Sequence, residues 1–301
     1  MITRQNQGEH QFGGDWTERK LDVVSNYLSS YTTALGKQPF EKHYIDAFAG
    51  TGYRAAAQAQ KAQGSDDLLF PDLAGSEARA LLDGSARRAL MTEPRFDRFV
   101  LIERHAKRCA QLEHLRSDFP WAESSIEIRQ GDANEEIQSI CGESWTNRRA
   151  VLFLDPYGMQ VEWATIEAIA GTRSIDLWIL FPLGIGVNRL LTKSGDIPEA
   201  WRNRLDLLLG RTDWYDEFYS VEPTRTLFGD DEERVVKAST ETIGKYFIAR
   251  LESVFAGVAP NPAVLSNSKG CPLYLLCFAV GNQRGRDVAL PIANHLLREV
   301  S

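Results

Sequence analysis

The stretch PAVLSNSKGCPLYLLCFAV, residues 262–280, decides how this chain folds. It holds two strand-like runs, Pro262–Asn267 and Pro272–Val280, joined through Ser268, Lys269 and Gly270. So short a connection permits only an antiparallel pair, because parallel neighbours need a crossover of about a dozen residues or more. Upstream the pattern is different. Apolar runs at His43–Ala49, Arg98–Glu103, Ser125–Arg129, Ala150–Leu154 and Asp176–Phe181 alternate with helix-length stretches. That alternation predicts a parallel sheet with helices on both faces.

An α/β sheet that is mostly parallel and ends in an antiparallel hairpin is the Rossmann-like architecture of class I methyltransferases. Dehydrogenase sheets generally run parallel to the end. Residues 1–14 are expected to be loose, and residues 15–301 to form one domain with an insertion at 53–97 and helical additions at 195–256. A first helix starts at Asp15, with Glu18 placed for a capping box. Leu21, Val24, Leu28, Tyr31 and Leu35 recur at helical spacing until Gly36 and Pro39 stop it. The insertion carries an alanine- and glutamine-rich piece and a helix starting near Ser85, and reads equally as a lid or as a decoration.

Sheets of this kind bind ligands at the carboxyl ends of their strands, and the polar punctuation of the chain falls there. YIDAFAGTG, residues 44–52, ends a strand in Asp46 and a glycine bend. Gly50 and Gly52 lack side chains and tolerate positive φ, so a ligand can lie against the backbone beside Phe48. The amides that follow can face a carboxylate or a phosphate, and Asp46 suits a cationic amine. The methionine half of S-adenosylmethionine, with an amine and a carboxylate, fits these groups better than a pyrophosphate does. Glu103 ends FVLIE, where a carboxylate can accept both ribose hydroxyls of an adenosine. Asp132, followed by Ala133 in QGDANE, can accept from an adenine amino group, cap the helix beginning near Asn134, or do both.

The sharpest feature is VLFLDPYGMQVEW, residues 151–163. Pro156 stiffens the backbone at the strand end, and Tyr157 offers a flat face and a hydroxyl. Asp155 would stand beside an incoming methyl group, able to hold an amino group or take a proton from a hydroxyl. After the fifth run, LFPLGIGVN puts Pro182, Gly184, Gly186 and Asn188 in a loop opposite the cofactor. Arg189 and Lys193 follow it, with Arg202 and Arg204 on the next helix, where they meet an acidic substrate or are simply solvated. Trp16 and Lys20 are placed to cover a cofactor, or, for Trp16, to pack.

Asp-Pro-Tyr-Gly resembles the (Asp/Asn)-Pro-Pro-(Tyr/Phe) motif of amino-methyltransferases acting on adenine or related bases, without the second proline and with the tyrosine one position closer. DAFAGTG resembles their first motif. More of the chain resembles the three-Cys-motif partner family: residues 12–28, YIDAFAGTG, DGSARRAL (83–90), FVLIER (99–104), FLDPYGMQVEW and LFPLGIGVNRLL (180–191), in that order. The resemblance implies a class I methyltransferase-like fold, S-adenosylmethionine as cofactor, and a functional link to a separate three-cysteine protein resembling radical S-adenosylmethionine enzymes. The general methyltransferase pattern carries the cofactor roles of Asp46, Gly50, Gly52, Glu103 and Asp132, with Phe48 and Ala133 beside them. Asp155 and Tyr157 would then be catalytic, and Pro156, Pro182, Asn188 and Arg189 would face the acceptor.

Composition narrows the rest. With 41 acids against 34 bases the net charge is −7, which weighs against sequence-blind duplex binding. RNA or DNA that is single-stranded or structured remains an acceptor. No Pro-Cys nucleophile stands at the strand end, and Cys271-Pro272 is reversed, so methylation of carbon is disfavoured. Cysteines 109, 141, 271 and 277 form no CxxC pair, so no metal is expected and a cytoplasmic setting is the default. The leading expectation is an S-adenosylmethionine-dependent methyltransferase directed at nitrogen or oxygen. The alternative is a catalytically silent scaffold or cofactor-binding subunit of the three-cysteine partner. A nicotinamide dehydrogenase is weaker, lacking a full GxGxxG.

Overall fold

The computed structural model describes residues 15–51, 84–156, 158–225, 231–267 and 269–300. The expectations for residues 1–14, Gly52, the 53–83 part of the insertion, Tyr157, and the side chains of Trp16 and Glu18 lie outside the described residues.

Helix α1 (Asp15–Ala34) opens the fold and is followed by β1 (Glu41–Asp46). Then come α2 (Ser85–Leu90), β2 (Arg98–Glu103), α3 (Ala106–Leu112), α4 (His114–Asp118) and β3 (Ile126–Gln130). Helix α5 (Ala133–Cys141), β4 (Arg148–Leu154), α6 (Trp163–Gly171) and β5 (Ile175–Phe181) complete the parallel half. Helices α7 (Glu199–Leu209) and α8 (Trp214–Phe218) precede β6 (Tyr219–Arg225) and β7 (Asp231–Lys237). Helix α9 (Thr240–Glu252), β8 (Gly257–Val258), β9 (Ala263–Ser266), β10 (Pro272–Val280) and α10 (Arg286–Arg298) end the chain.

The main sheet runs β3-β2-β1-β4-β5-β10-β8, with β9 also paired to β10. Strands β1 to β5 are mutually parallel, whereas β10 runs antiparallel to β5, β8 and β9. This is the class I methyltransferase topology that residues 262–280 predict. Its two faces follow from a period of two. Leu152 and Leu154 of β4 with Leu177 and Ile179 of β5 pack under α5, α6 and α9, while Val151, Phe153, Trp178 and Leu180 pack under α1, α2 and α10. Alternate side chains of a strand point to opposite faces, so one apolar run feeds both cores.

Two expectations need correcting. The 195–256 additions are not all helical: β6 and β7 form a separate two-stranded antiparallel sheet. At its base Tyr219 packs partly buried against the core, whereas Val221 is 60% exposed. Polar contacts also fasten the base. Tyr219 donates its hydroxyl to the Thr192 carbonyl at 2.8 Å, and Lys237 donates to the carbonyls of Asn188 and Leu191 at 2.6 and 2.7 Å. The second correction concerns residues 84–97, which are no decoration. Helix α2 buries Ser85, Ala86, Ala89 and Leu90 and supplies the helical crossover that two parallel strands, β1 and β2, require.

After β5 the chain makes a π-helical turn, Leu183–Val187, in which the Pro182 carbonyl accepts from the Val187 amide at 3.0 Å. Gly184 lies directly on β10, and a Cβ there would overlap the carbonyl oxygen of Pro272. Gly184→Ala should therefore cost about 1–3 kcal/mol by forcing the turn off the sheet. A thermal melt unchanged by that substitution would contradict this close approach.

Candidate functional site

Because β3, β2, β1 and β4 are parallel neighbours, their last residues share one edge of the sheet. Asp46, Glu103, Asp132 and Asp155 follow or end these strands, so the structure gathers the four acids on that edge. Asp46 and Asp155 are at most 4% exposed, and Glu103 is also buried.

The bend after β1 is strapped to both neighbours. The Ala47 amide donates to the Phe153 carbonyl at 3.2 Å, and the Ala49 amide to the Ile102 carbonyl at 3.0 Å. Gly50 then takes φ 61°, a left-handed conformation that costs a residue with a Cβ. Within this turn Asp46 accepts from the Phe48 amide at 3.2 Å, the Tyr44 hydroxyl at 3.2 Å and the Ser85 hydroxyl at 2.6 Å. None of these donors is a cation. Burial raises the Asp46 pKa to about 6, with the three hydrogen bonds opposing and the charge of Asp155 assisting. A buried carboxylate without a salt bridge among the described residues is costly, and a bound ammonium group would relieve it.

Asp155 is held differently. Lys20 of α1 reaches over the Phe153 ring, with its Nζ 5.3 Å from the centroid, and donates to Asp155 Oδ2 at 2.6 Å. The two side chains are 0% and 5% exposed. Burial lowers the Lys20 pKa while Asp155 pulls it back up; burial raises that of Asp155 while Lys20 opposes. Burial works against the charged form of each, and the 2.6 Å contact between them works for it. Lys20 engages Oδ2 of the carboxylate. Its partner is not legible from the sequence, but its burial is. Lys20 stands four residues before Val24 and seven before Tyr27, inside the apolar stripe of α1, where a lysine must find a carboxylate.

Glu103 Oε1 accepts from the His105 amide at 2.8 Å, and Oε2 lies 3.7 Å from Arg108 Nη1. Asp132 caps α5, accepting from the Asn134 amide at 2.9 Å, and the first residue of that helix, Ala133, is buried. Phe48 is half-buried against the core under α5. Pro156 and Pro182 are buried, Asn188 is half-buried and Arg189 exposed, all beyond the carboxyl ends of β4 and β5. Gly186 packs so tightly on Met159 and Pro182 that the turns after β4 and β5 form one rim. Arg202 does not reach this edge as a free cation; its guanidinium lies 4.7 Å from the Tyr215 ring centroid. Sequence reasoning missed Ser85 and Tyr44 as partners of Asp46. The arrangement can hold an amine at Asp46, hydroxyls at Glu103, and a proton at Asp155.

No family model and no curated protein matches the chain. Among solved structures, a DUF519-family protein from Legionella pneumophila is similar over 79% of this chain and 94% of that one, at 14% identity and TM-score 0.40. An S-adenosylmethionine-dependent methyltransferase from Clostridium acetobutylicum is similar over 89% and 93%, at 13% identity and TM-score 0.37. The magnesium protoporphyrin IX methyltransferase of Synechocystis with bound S-adenosylhomocysteine is similar over 77% and 90%, at 12% identity and TM-score 0.32. At these identities the strand order itself, rather than any one likeness, carries the fold assignment.

Proposed function

We propose that this chain is a methyltransferase that binds S-adenosylmethionine along the carboxyl edge of its sheet and directs the methyl group to nitrogen or oxygen. The observation that carries the reading is the pair of buried acids, Asp46 and Asp155, at the ends of adjacent strands β1 and β4. Bound there, the cofactor supplies an activated methyl group. Asp46 takes its ammonium, the amides of the Gly50 bend face its carboxylate, and Glu103 accepts from its ribose. Asp155 Oδ1 orients the acceptor's amino or hydroxyl group in line with the methyl, and the Asp155–Lys20 unit receives the proton released on transfer. The motif resemblance gives Tyr157 the role of flanking the acceptor.

The resemblance of Asp-Pro-Tyr-Gly to amino-methyltransferase motifs supports a nucleic-acid base as acceptor, single-stranded, structured or flipped from a duplex. The wider resemblance to the three-Cys-motif partner family supports delivery by a three-cysteine, radical S-adenosylmethionine-like protein. A second reading, a silent scaffold or cofactor-binding subunit of that protein, is favoured by the closure of Asp155 against Lys20. Tritiated methyl transfer from S-adenosylmethionine to total RNA and single-stranded DNA, with and without the partner, separates the two. Label in the acceptor is expected; tight S-adenosylhomocysteine binding with no label in any condition would favour the scaffold.

A further inference from the structure

Just past the C-cap of α6, Arg173 takes φ 52°, alone among the described non-glycine residues in having a positive φ. A Cβ is strained in that left-handed conformation, which is why helices so often end on glycine there. A cation in the last turn of α6 would serve the helix dipole without strain, yet that turn carries no basic residue. The segment after β10 holds the strained turn in place. Asn282 Nδ2 donates to the Arg173 carbonyl at 3.2 Å, and a Cβ on Gly281 would overlap the Ile175 carbonyl oxygen. A residue kept in a costly conformation by its surroundings points to a use for its side chain.

Arg173 borders an open cleft of about 570 Å³, a volume in the range of small-molecule sites. Strand β5 starts at Ile175, so the cleft stands at the amino end of that strand, opposite the edge that carries the four acids. Ala170, Val254 and Phe255 line it with apolar surface that continues into the core. Gln283 adds a side-chain amide. Glu167, the acid in the lining, already accepts from the Trp163 indole at 2.8 Å. The Arg173 side chain is exposed and forms no ion pair among the described residues.

We propose that this cleft binds a small amphiphilic anion. Its apolar body lies against Val254 and Phe255, and its carboxylate or sulfonate group is held by the planar fork of Arg173, with the Gln283 amide donating beside it. The site is independent of the methyl-transfer reading.

The test is fluorescence titration of the full chain with 8-anilinonaphthalene-1-sulfonate and with its uncharged parent, N-phenyl-1-naphthylamine. The wild-type protein should bind the sulfonate at least about tenfold more tightly, the worth of one charge-assisted contact. Arg173→Gly should erase that preference by weakening the sulfonate alone; glycine suits the turn, so this variant should fold. A Cβ on Gly171, which also lines the cleft, meets no atom within 4 Å. Gly171→Phe should therefore fill the cleft and weaken both compounds at least about tenfold. Equal affinity of the wild type for the two compounds overturns the site, as does an unchanged sulfonate affinity in Arg173→Gly or in a folded Gly171→Phe. Should the phenylalanine variant fail to fold, the two compounds compared across Arg173→Gly decide the matter.

Discussion

Asp155→Ala should destabilise the protein by about 3–5 kcal/mol, the cost of stranding one member of a buried ion pair. Lys20 is wholly buried and donates to that carboxylate at 2.6 Å; once alone, its amine must either stay charged away from water or give up its proton. The double variant Lys20→Met with Asp155→Leu removes both charges and should recover most of the loss, since apolar replacement of a buried pair is often neutral or stabilising. Activity should not recover with it. Loss of a positioned proton acceptor lowers turnover on the order of a hundred- to ten-thousand-fold. Urea denaturation and methyl-transfer assays on the same three proteins read the two effects separately. A single variant as stable as wild type would contradict the buried pair, and a double variant with full turnover would remove Asp155 from the chemistry.

Asp46→Asn should act in the opposite direction on stability. Burial raises this carboxyl from 3.8 to about 6, so the folded protein holds its proton more tightly than the unfolded chain does. Stability is then lost as the pH rises from about 4 to about 6, and keeping the group ionised at pH 7 costs about 3 kcal/mol. Asparagine carries no such penalty, so the ligand-free variant should melt higher at pH 7 and much like wild type at pH 4. Asp176 contributes with the same sign: burial raises it to about 6, although the Tyr27 hydroxyl and the Gly281 amide donate to it. Ligand binding reports the other side of the exchange. An ammonium group needs the ionised carboxylate, so wild-type affinity for S-adenosylhomocysteine should rise about tenfold between pH 5 and pH 7. The asparagine variant should bind at least about thirtyfold more weakly, as expected when a buried charged partner is removed, and with no such pH dependence. A variant less stable than wild type at pH 7, or equally tight in binding, would refute this account of Asp46.

Much of the sheet was legible before any tertiary structure. Arg98–Glu103 coincides with β2, and Pro272–Val280 with β10, because an apolar run of strand length between polar ends admits few other conformations. The β6–β7 hairpin was not legible. Its strands lie outside the main sheet, and charged Glu222 and Arg234 with the exposed Val221 interrupt the apolar run that marks a core strand. Helix α2 announced itself near Ser85, yet nothing local showed that it is the β1–β2 crossover and not part of an appendage.

The site divides along the same line. The sequence by itself determined that acids follow the strands and that the last long strand turns back, since both depend on residues a few positions apart. Tertiary structure alone decided whom those acids meet. Lys20 and Asp155 are 135 residues apart, Ser85 and Asp46 are 39 apart, and Asn134 and Gln160 are 26 apart. Hydrophobic periodicity says which face of a helix is buried, but it says nothing of which strand end that face will cross. That choice is made by how α1, α2 and α5 pack on the sheet, and it sets the charge and the proton that the site presents.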